Sequence, residues 1–192
     1  MVRADSICSR PGKPDGSMNA YSQSLAVALL AWCLGSGPFS VAFASTFKHI
    51  VIDGNFADWA GVPVAYSDPS EASAAAGTDF KTVWIAHDAD YVYVRVSFYN
   101  EGSLLRSQNN VFINGDGDFT TGFNIHGTGS EMLIQGGTGY QEKNGTFNDG
   151  MLIQDLGWAA APSGTAGEFE FRMSRKAKYE DGGAVFTLRL PV

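Results

Sequence analysis

A chain of 192 residues, 44 % hydrophobic and 12 % aromatic, is long enough for one domain with its own core and too short to expect two. Its 13 Lys and Arg against 20 Asp and Glu give a formal charge of −7, which repels phosphate backbones and anionic lipid surfaces and disfavours nucleic-acid and membrane-surface partners. Both cysteines, Cys8 and Cys33, lie in the first 44 residues, so the remainder has no means of forming a disulfide, a thiolate metal site or a cysteine nucleophile.

Those first 44 residues read as a leader. Leu25 to Leu34 is an apolar run of signal-peptide length, followed by Gly35, Gly37 and Pro38 and then by the small-x-small triplet Ala42-Phe43-Ala44. The expected cleavage follows Ala44, so the domain spans 45–192. The run is too short to cross a membrane, which takes roughly 20 apolar residues, so the mature form carries no membrane span. Arg3, Arg10 and Lys13 precede the run if translation starts at Met1; a start at Met18 leaves none. Leu30-Ala31-Trp32-Cys33 touches on a lipoprotein box, but Trp32 is too large for the position before a lipidated cysteine.

From Ser45 onward the pattern is one of short strands separated by turns. Ile52-Asp53-Gly54-Asn55-Phe56-Ala57-Asp58-Trp59 opens the domain, with Trp59 assigned to the core. Pro69 to Ala76 fits a helical turn or a loop equally well. Val83 to Ala86 puts Trp84 on one face with Thr82 and Ala86, and Asp88 and Asp90 then read as a hairpin turn. In Tyr91 to Tyr99 the residues Val92, Val94, Val96 and Phe98 face one way and Tyr91, Tyr93, Arg95, Ser97 and Tyr99 the other, the alternation of a half-buried strand. Val111 to Asn114 leads into a Gly/Asp loop, and Asn144-Gly145, between Tyr140 to Lys143 and Thr146-Phe147, predicts a tight hairpin. Phe169, Phe171 and Met173 alternate with Glu168, Glu170 and Arg172, and Phe186, Leu188 and Leu190 alternate with Thr187 and Arg189. Many short strands with frequent turns predict an all-β antiparallel sandwich, jelly-roll-like, with almost no helix after Ala44.

The opening segment, together with Val83-Trp84-Ile85-Ala86-His87-Asp88-Ala89-Asp90-Tyr91-Val92-Tyr93-Val94, resembles the start of family 9 carbohydrate-binding modules and their relatives in secreted bacterial proteins. The resemblance continues through Val111 to Asp118, Thr121-Gly122-Phe123 and Phe169 to Arg175; Gly129 to Gly137 and Gly157-Trp158 look like a subgroup found in exported proteins with PEP-CTERM-type sorting tails. It implies a secreted or cell-surface β-sandwich that binds a polysaccharide or cell-surface glycan and does not cut it. The sugar-binding members place one stacking Trp in the loop before the strand matching Val111 to Asn114 and its partner near the C-terminus. This chain has Leu104-Leu105-Arg106 at the first position and stops at Val192, so the resemblance also implies closing strands that are missing here and an open sheet edge.

Among residues able to carry chemistry, sugar stacking needs an exposed aromatic face, and Trp158, Tyr140, Trp84 and Tyr99 are the candidates. Asn114, Asp116 and Asp118 place oxygens at alternate positions of a Gly-relaxed loop. They could serve as hard ligands for a structural Ca²⁺, or form an ordinary turn. The loop departs from an EF-hand at Phe119 and Ile125. Glu168 and Glu170 sit two apart on one strand face, roughly 6–7 Å apart by strand rise and near the separation of glycosidase carboxylate pairs, but a solvent-facing strand gives the same pattern. No hydrolase, zinc or phosphate-loop motif is present. Two other functions remain open on the same fold: a matrix or cell-surface structural module without a soluble ligand, and a haem-binding electron-transfer domain using Met132 or His126 as axial ligand.

Overall fold

A computed structural model describes residues 24–28, 46–70, 79–102, 110–125, 127–147 and 151–186. Ten strands lie among the described residues: β1 (Ser24–Ala28), β2 (Thr46–Phe47), β3 (Val64–Ser67), β4 (Phe80–His87), β5 (Tyr91–Gly102), β6 (Asn110–Asn114), β7 (Met132–Gln135), β8 (Thr138–Gln141), β9 (Ala159–Ala161) and β10 (Ala166–Ser174). Among the described residues the sole helical element is a four-residue 3₁₀ turn, Phe56–Trp59, so the all-β expectation holds.

The strands form two sheets, neither closed on itself. One has the order β1-β6-β7-β8; the other runs β2-β4-β5-β10-β9, with β3 also pairing β4. The alternation seen in the sequence decides what lies between them. Val92, Val94, Val96 and Phe98 of β5 join Phe169, Phe171 and Met173 of β10 on one inner face, opposed by Val111 and Ile113 of β6 and Met132 and Ile134 of β7. Each is at least nine-tenths buried, and burial of a side chain of this size is worth about 1.5–3 kcal/mol.

The outer face of the six-stranded sheet is not solvated as the alternation of β5 suggests. The segment from Ile50 to Val62 folds back across it, and Ile50, Trp59 and Val62 form a second cluster with Ala86 and Tyr93. Tyr93, expected on the wet side of a half-buried strand, is fully buried. A period of two reports that a strand has two faces; it does not report that another segment covers the second one.

The Asn144-Gly145 hairpin forms as the dipeptide dictates, with both residues at positive φ and reciprocal backbone bonds between Lys143 and Thr146. At the other sheet, β1 pairs parallel to β6 over its whole length, from Ser24↔Asn110 to Ala28↔Asn114. Five residues of the expected leader therefore form the edge strand of the four-stranded sheet. Residues 1–23, 29–45, most of the Pro69 to Ala76 segment, His126, Asp149-Gly150 and the strand pattern beyond Phe186 lie outside the described residues.

Candidate ligand-binding groove

The opening motif works as a clamp. Asp53 Oδ1 accepts from the Asn55 amide, Gly54 turns at φ +81°, and Asn55 Oδ1 caps the 3₁₀ turn at Ala57. Asp58 Oδ2 then accepts from the Val51 amide, folding the segment on itself. This geometry delivers Trp59 Nε1 to Glu170 Oε2 at 2.8 Å, while Glu170 Oε1 accepts from the amides of Asp53 (2.9 Å) and Gly54 (2.7 Å). Glu170 is 0 % exposed, so its reading as a solvent-facing strand residue is corrected: it is the anchor that holds the opening segment on β10. Its neighbour Glu168 is engaged separately, accepting from Arg95 Nε at 2.6 Å. One carboxylate is thus committed to backbone and indole donors and the other to a guanidinium.

Next to the clamp the outer face is open. A groove of about 700 Å³ is lined by Phe56, Lys81, Trp84, Ser97, Pro162 and Glu168, with others. Arg95 packs against two of the lining rings: its guanidinium lies 4.3 Å from the Trp84 ring centroid and 4.9 Å from that of Phe56, and Glu168 accepts from its Nε. Exposed Tyr99 lies next to the lining residue Lys81, whose Nζ is 5.4 Å from its ring centroid, and its hydroxyl donates to the Asp68 carbonyl. Of the four aromatic candidates, Trp84 thus lines the groove and Tyr99 lies beside it next to Lys81.

The other two lie elsewhere. Trp158 is half-buried and stacks on Phe171 of the inter-sheet core, centroids 5.0 Å apart at 29°, so one of its faces belongs to packing. Tyr140 sits on β8 of the opposite sheet, half-buried and bridged to Leu152. No single surface gathers all four.

The Asn114, Asp116 and Asp118 oxygens are taken up locally. Asn114 Oδ1 accepts from the Gly117 amide, Asp116 Oδ1 from Asp118 and Asp118 Oδ1 from Thr120, a chain of side-chain-capped turns. Asn114 Nδ2 meanwhile donates to the Thr128 carbonyl. Among the described residues no three His, Cys, Asp or Glu side chains converge as a metal set. The carboxylate most bound to this loop is one that sequence reading missed. Glu131, 9 % exposed, accepts from the Gly115 amide, and burial together with the nearby Asp116 charge pushes its pKa up against the opposing pull of that amide.

A third cluster holds the start of the opening segment. Asp88 Oδ2 lies 2.8 Å from His49 Nδ1 and accepts from the Tyr93 hydroxyl at 2.6 Å, while Oδ1 takes the amides of Asp90 and Tyr91. Burial works to raise the Asp88 pKa, but the Tyr93, His49 and amide hydrogen bonds outweigh it and hold the carboxyl well below the usual range. Tyr93 is pushed up correspondingly, first by burial and then by Asp88. Asp88 and Asp90 do form the hairpin turn expected of them, and Asp88 ties that turn to the clamp segment.

Compared with known proteins, the chain matches no family model, no curated protein and no solved structure.

Proposed function

We propose that this is an exported, non-catalytic binding module that contacts a polysaccharide or cell-surface glycan through the groove beside Trp84. The observation that supports it is the composition of that groove: the rings of Phe56 and Trp84 next to an ammonium at Lys81 and a carboxylate at Glu168, with the exposed Tyr99 ring beside Lys81. A pyranose offers an apolar C–H face and a rim of hydroxyls, and such a surface matches both. The groove is open and shallow, which suits one side of a chain better than an enclosed small molecule. The local capture of Glu168 and Glu170 by other donors is what argues against a hydrolase. The resemblance to family 9 modules points the same way.

Lys81 lines the groove and Tyr99 stands beside it, both exposed, so their replacement by Ala separates binding from folding. Affinity electrophoresis across plant and bacterial polysaccharides should show retardation of the wild type. Each variant should bind about two- to tenfold more weakly, the loss of one hydrogen bond or ring contact of about 0.5–1.5 kcal/mol, with an unchanged melt. A folded wild-type protein that no polysaccharide retards would replace this reading with that of a structural surface module. Export itself is checked by N-terminal sequencing of secreted material, with Ser45 as the expected first residue.

A further inference from the structure

We infer that Asn144 is an attachment site for an N-linked glycan, its side-chain amide accepting an oligosaccharide from a lipid-diphosphate-linked donor as the chain is exported. The inference rests on the reading of the chain as an exported protein and is independent of the groove.

Sequence and structure select this residue separately. Asn144-Gly145-Thr146, within Glu142-Lys143-Asn144-Gly145-Thr146, is the one place in the 192 residues where an Asn is followed by a residue other than Pro and then by Ser or Thr, the triplet that N-linked transfer reads. The state of its carboxamide then sets Asn144 apart. Asn55 Oδ1 caps the 3₁₀ turn, Asn100 Oδ1 accepts from the Asp79 amide, Asn110 Oδ1 from Gln135 Nε2 and Asn124 Oδ1 from the Gly127 amide, while Asn114 is held at both oxygen and nitrogen. Alone among the described asparagines, Asn144 gives and takes no side-chain hydrogen bond.

The hairpin also presents it to a transferase. Asn144 and Gly145 form the exposed tip at φ +54° and +76°, and a Cβ built on Gly145 would meet nothing within 4 Å. A carboxamide nitrogen is a weak nucleophile, because its lone pair is shared with the carbonyl, so the enzyme must take hold of the triplet with the turn opened. Opening asks little here. The tip is closed by the reciprocal Lys143 and Thr146 backbone bonds and by the Gly145 amide on the Glu142 carboxylate, whereas Phe147 just beyond packs on Phe112 and Phe123 and anchors the chain. In the transfer, Asn144 Nδ2 bonds to the anomeric carbon of the first sugar and loses one proton to a base of the transferase. The bond from that carbon to the donor's diphosphate oxygen breaks, and the lipid diphosphate leaves. The tip follows β8 of the four-stranded sheet, while the groove is lined from β4, β5 and β10 of the other sheet, so the glycan leaves the groove open.

The test is mass spectrometry of the full chain secreted by its native host. The peptide containing Asn144 should be heavier by a whole number of sugar residues and should yield sugar fragment ions. Asn144→Asp keeps the turn, because Asp-Gly accepts the same backbone, and Thr146→Ala keeps the Asn; both should be secreted with the melt of a folded protein and with the increment lost. Secreted wild-type chain at its bare mass would overturn the inference, as would an increment that survives either substitution. Conversion of Asn144 to Asp without sugar would also overturn it, assigning the tip to attack by the Gly145 amide with loss of ammonia. A chain never found outside the cell would overturn the export reading and this inference with it.

Discussion

Replacing Glu170 tests the central claim about the clamp, because one fully buried carboxylate satisfies three donors from a segment more than 100 residues away in sequence. Glu170→Ala strands the Trp59 indole N–H in a buried site and the Asp53 and Gly54 amides in a part-buried one. A hydrogen bond to a charged acceptor is worth about 1.5–3 kcal/mol, and non-additivity within one network keeps the total below the sum, so a loss of about 3–5 kcal/mol is expected. Glu170→Gln keeps the shape and one oxygen. If that oxygen serves the two amides, its NH₂ faces the Trp59 N–H donor to donor, and the cost should be about 1–3 kcal/mol. Urea unfolding of the Glu170→Ala, Trp59→Phe and double variants gives the coupling directly. Trp59→Phe removes the indole donor, so the double variant should be at least 1 kcal/mol less destabilised than the two singles added together. Additive effects, or a Glu170→Gln protein within 0.5 kcal/mol of wild type, would refute the assignment of Glu170 as the anchor of the opening segment.

Trp158→Ala should destabilise by about 2–4 kcal/mol, below the full cost of a buried Trp because the ring is half-exposed, and a thermal melt measures it; unchanged melting would mean its stack on Phe171 carries little and would return Trp158 to the list of binding surfaces. The carboxylates Asp88 and Glu131 should respond to acid with opposite signs. Asp88 is held low, so its stabilising contribution is present above the ordinary Asp value near 3.8 and fades as pH falls through its folded value; Asp88→Asn should cost most at neutral pH and progressively less below pH 4. Glu131 is held high, so its contribution is greatest below the ordinary Glu value near 4.5 and is lost as pH rises through its folded value; Glu131→Gln should therefore be more favourable, relative to wild type, at pH 7 than at pH 4 in melts of both proteins. Because Asn114, Asp116 and Asp118 already accept from backbone amides, excess chelator and added Ca²⁺ should both leave the melting temperature within about 1 °C; a fall in chelator that Ca²⁺ reverses would establish a calcium site in that loop.

Much of the fold was legible without coordinates, for a local reason. The pleat puts successive side chains on opposite faces, so Val92-x-Val94-x-Val96-x-Phe98 and Phe169-x-Phe171-x-Met173 each declare a strand and its core side. Asn144-Gly145 declares its hairpin because both residues tolerate positive φ. Trp59 could be assigned to the core, and a buried indole N–H needs an acceptor, which was the available hint toward an acidic residue set among Phe169 and Phe171.

The site needed the tertiary structure, because it depends on which surface another segment covers. Glu168 and Glu170 are equivalent in the alternation, yet one borders an open groove and the other is sealed, and the difference is where the segment from Ile50 to Val62 comes to rest. The same fold-back buries Tyr93 and leaves Trp84 beside an open groove, while Trp158 stacks on Phe171 of the inter-sheet core. Glu131 was hidden for a similar reason: its burial comes from the turn at Gly115, sixteen residues earlier. Alternation is a property of neighbours in the chain and survives in the sequence. Contact between Asp53 and Glu170, 117 residues apart, depends on how the whole sheet is assembled, and no short-range pattern encodes it.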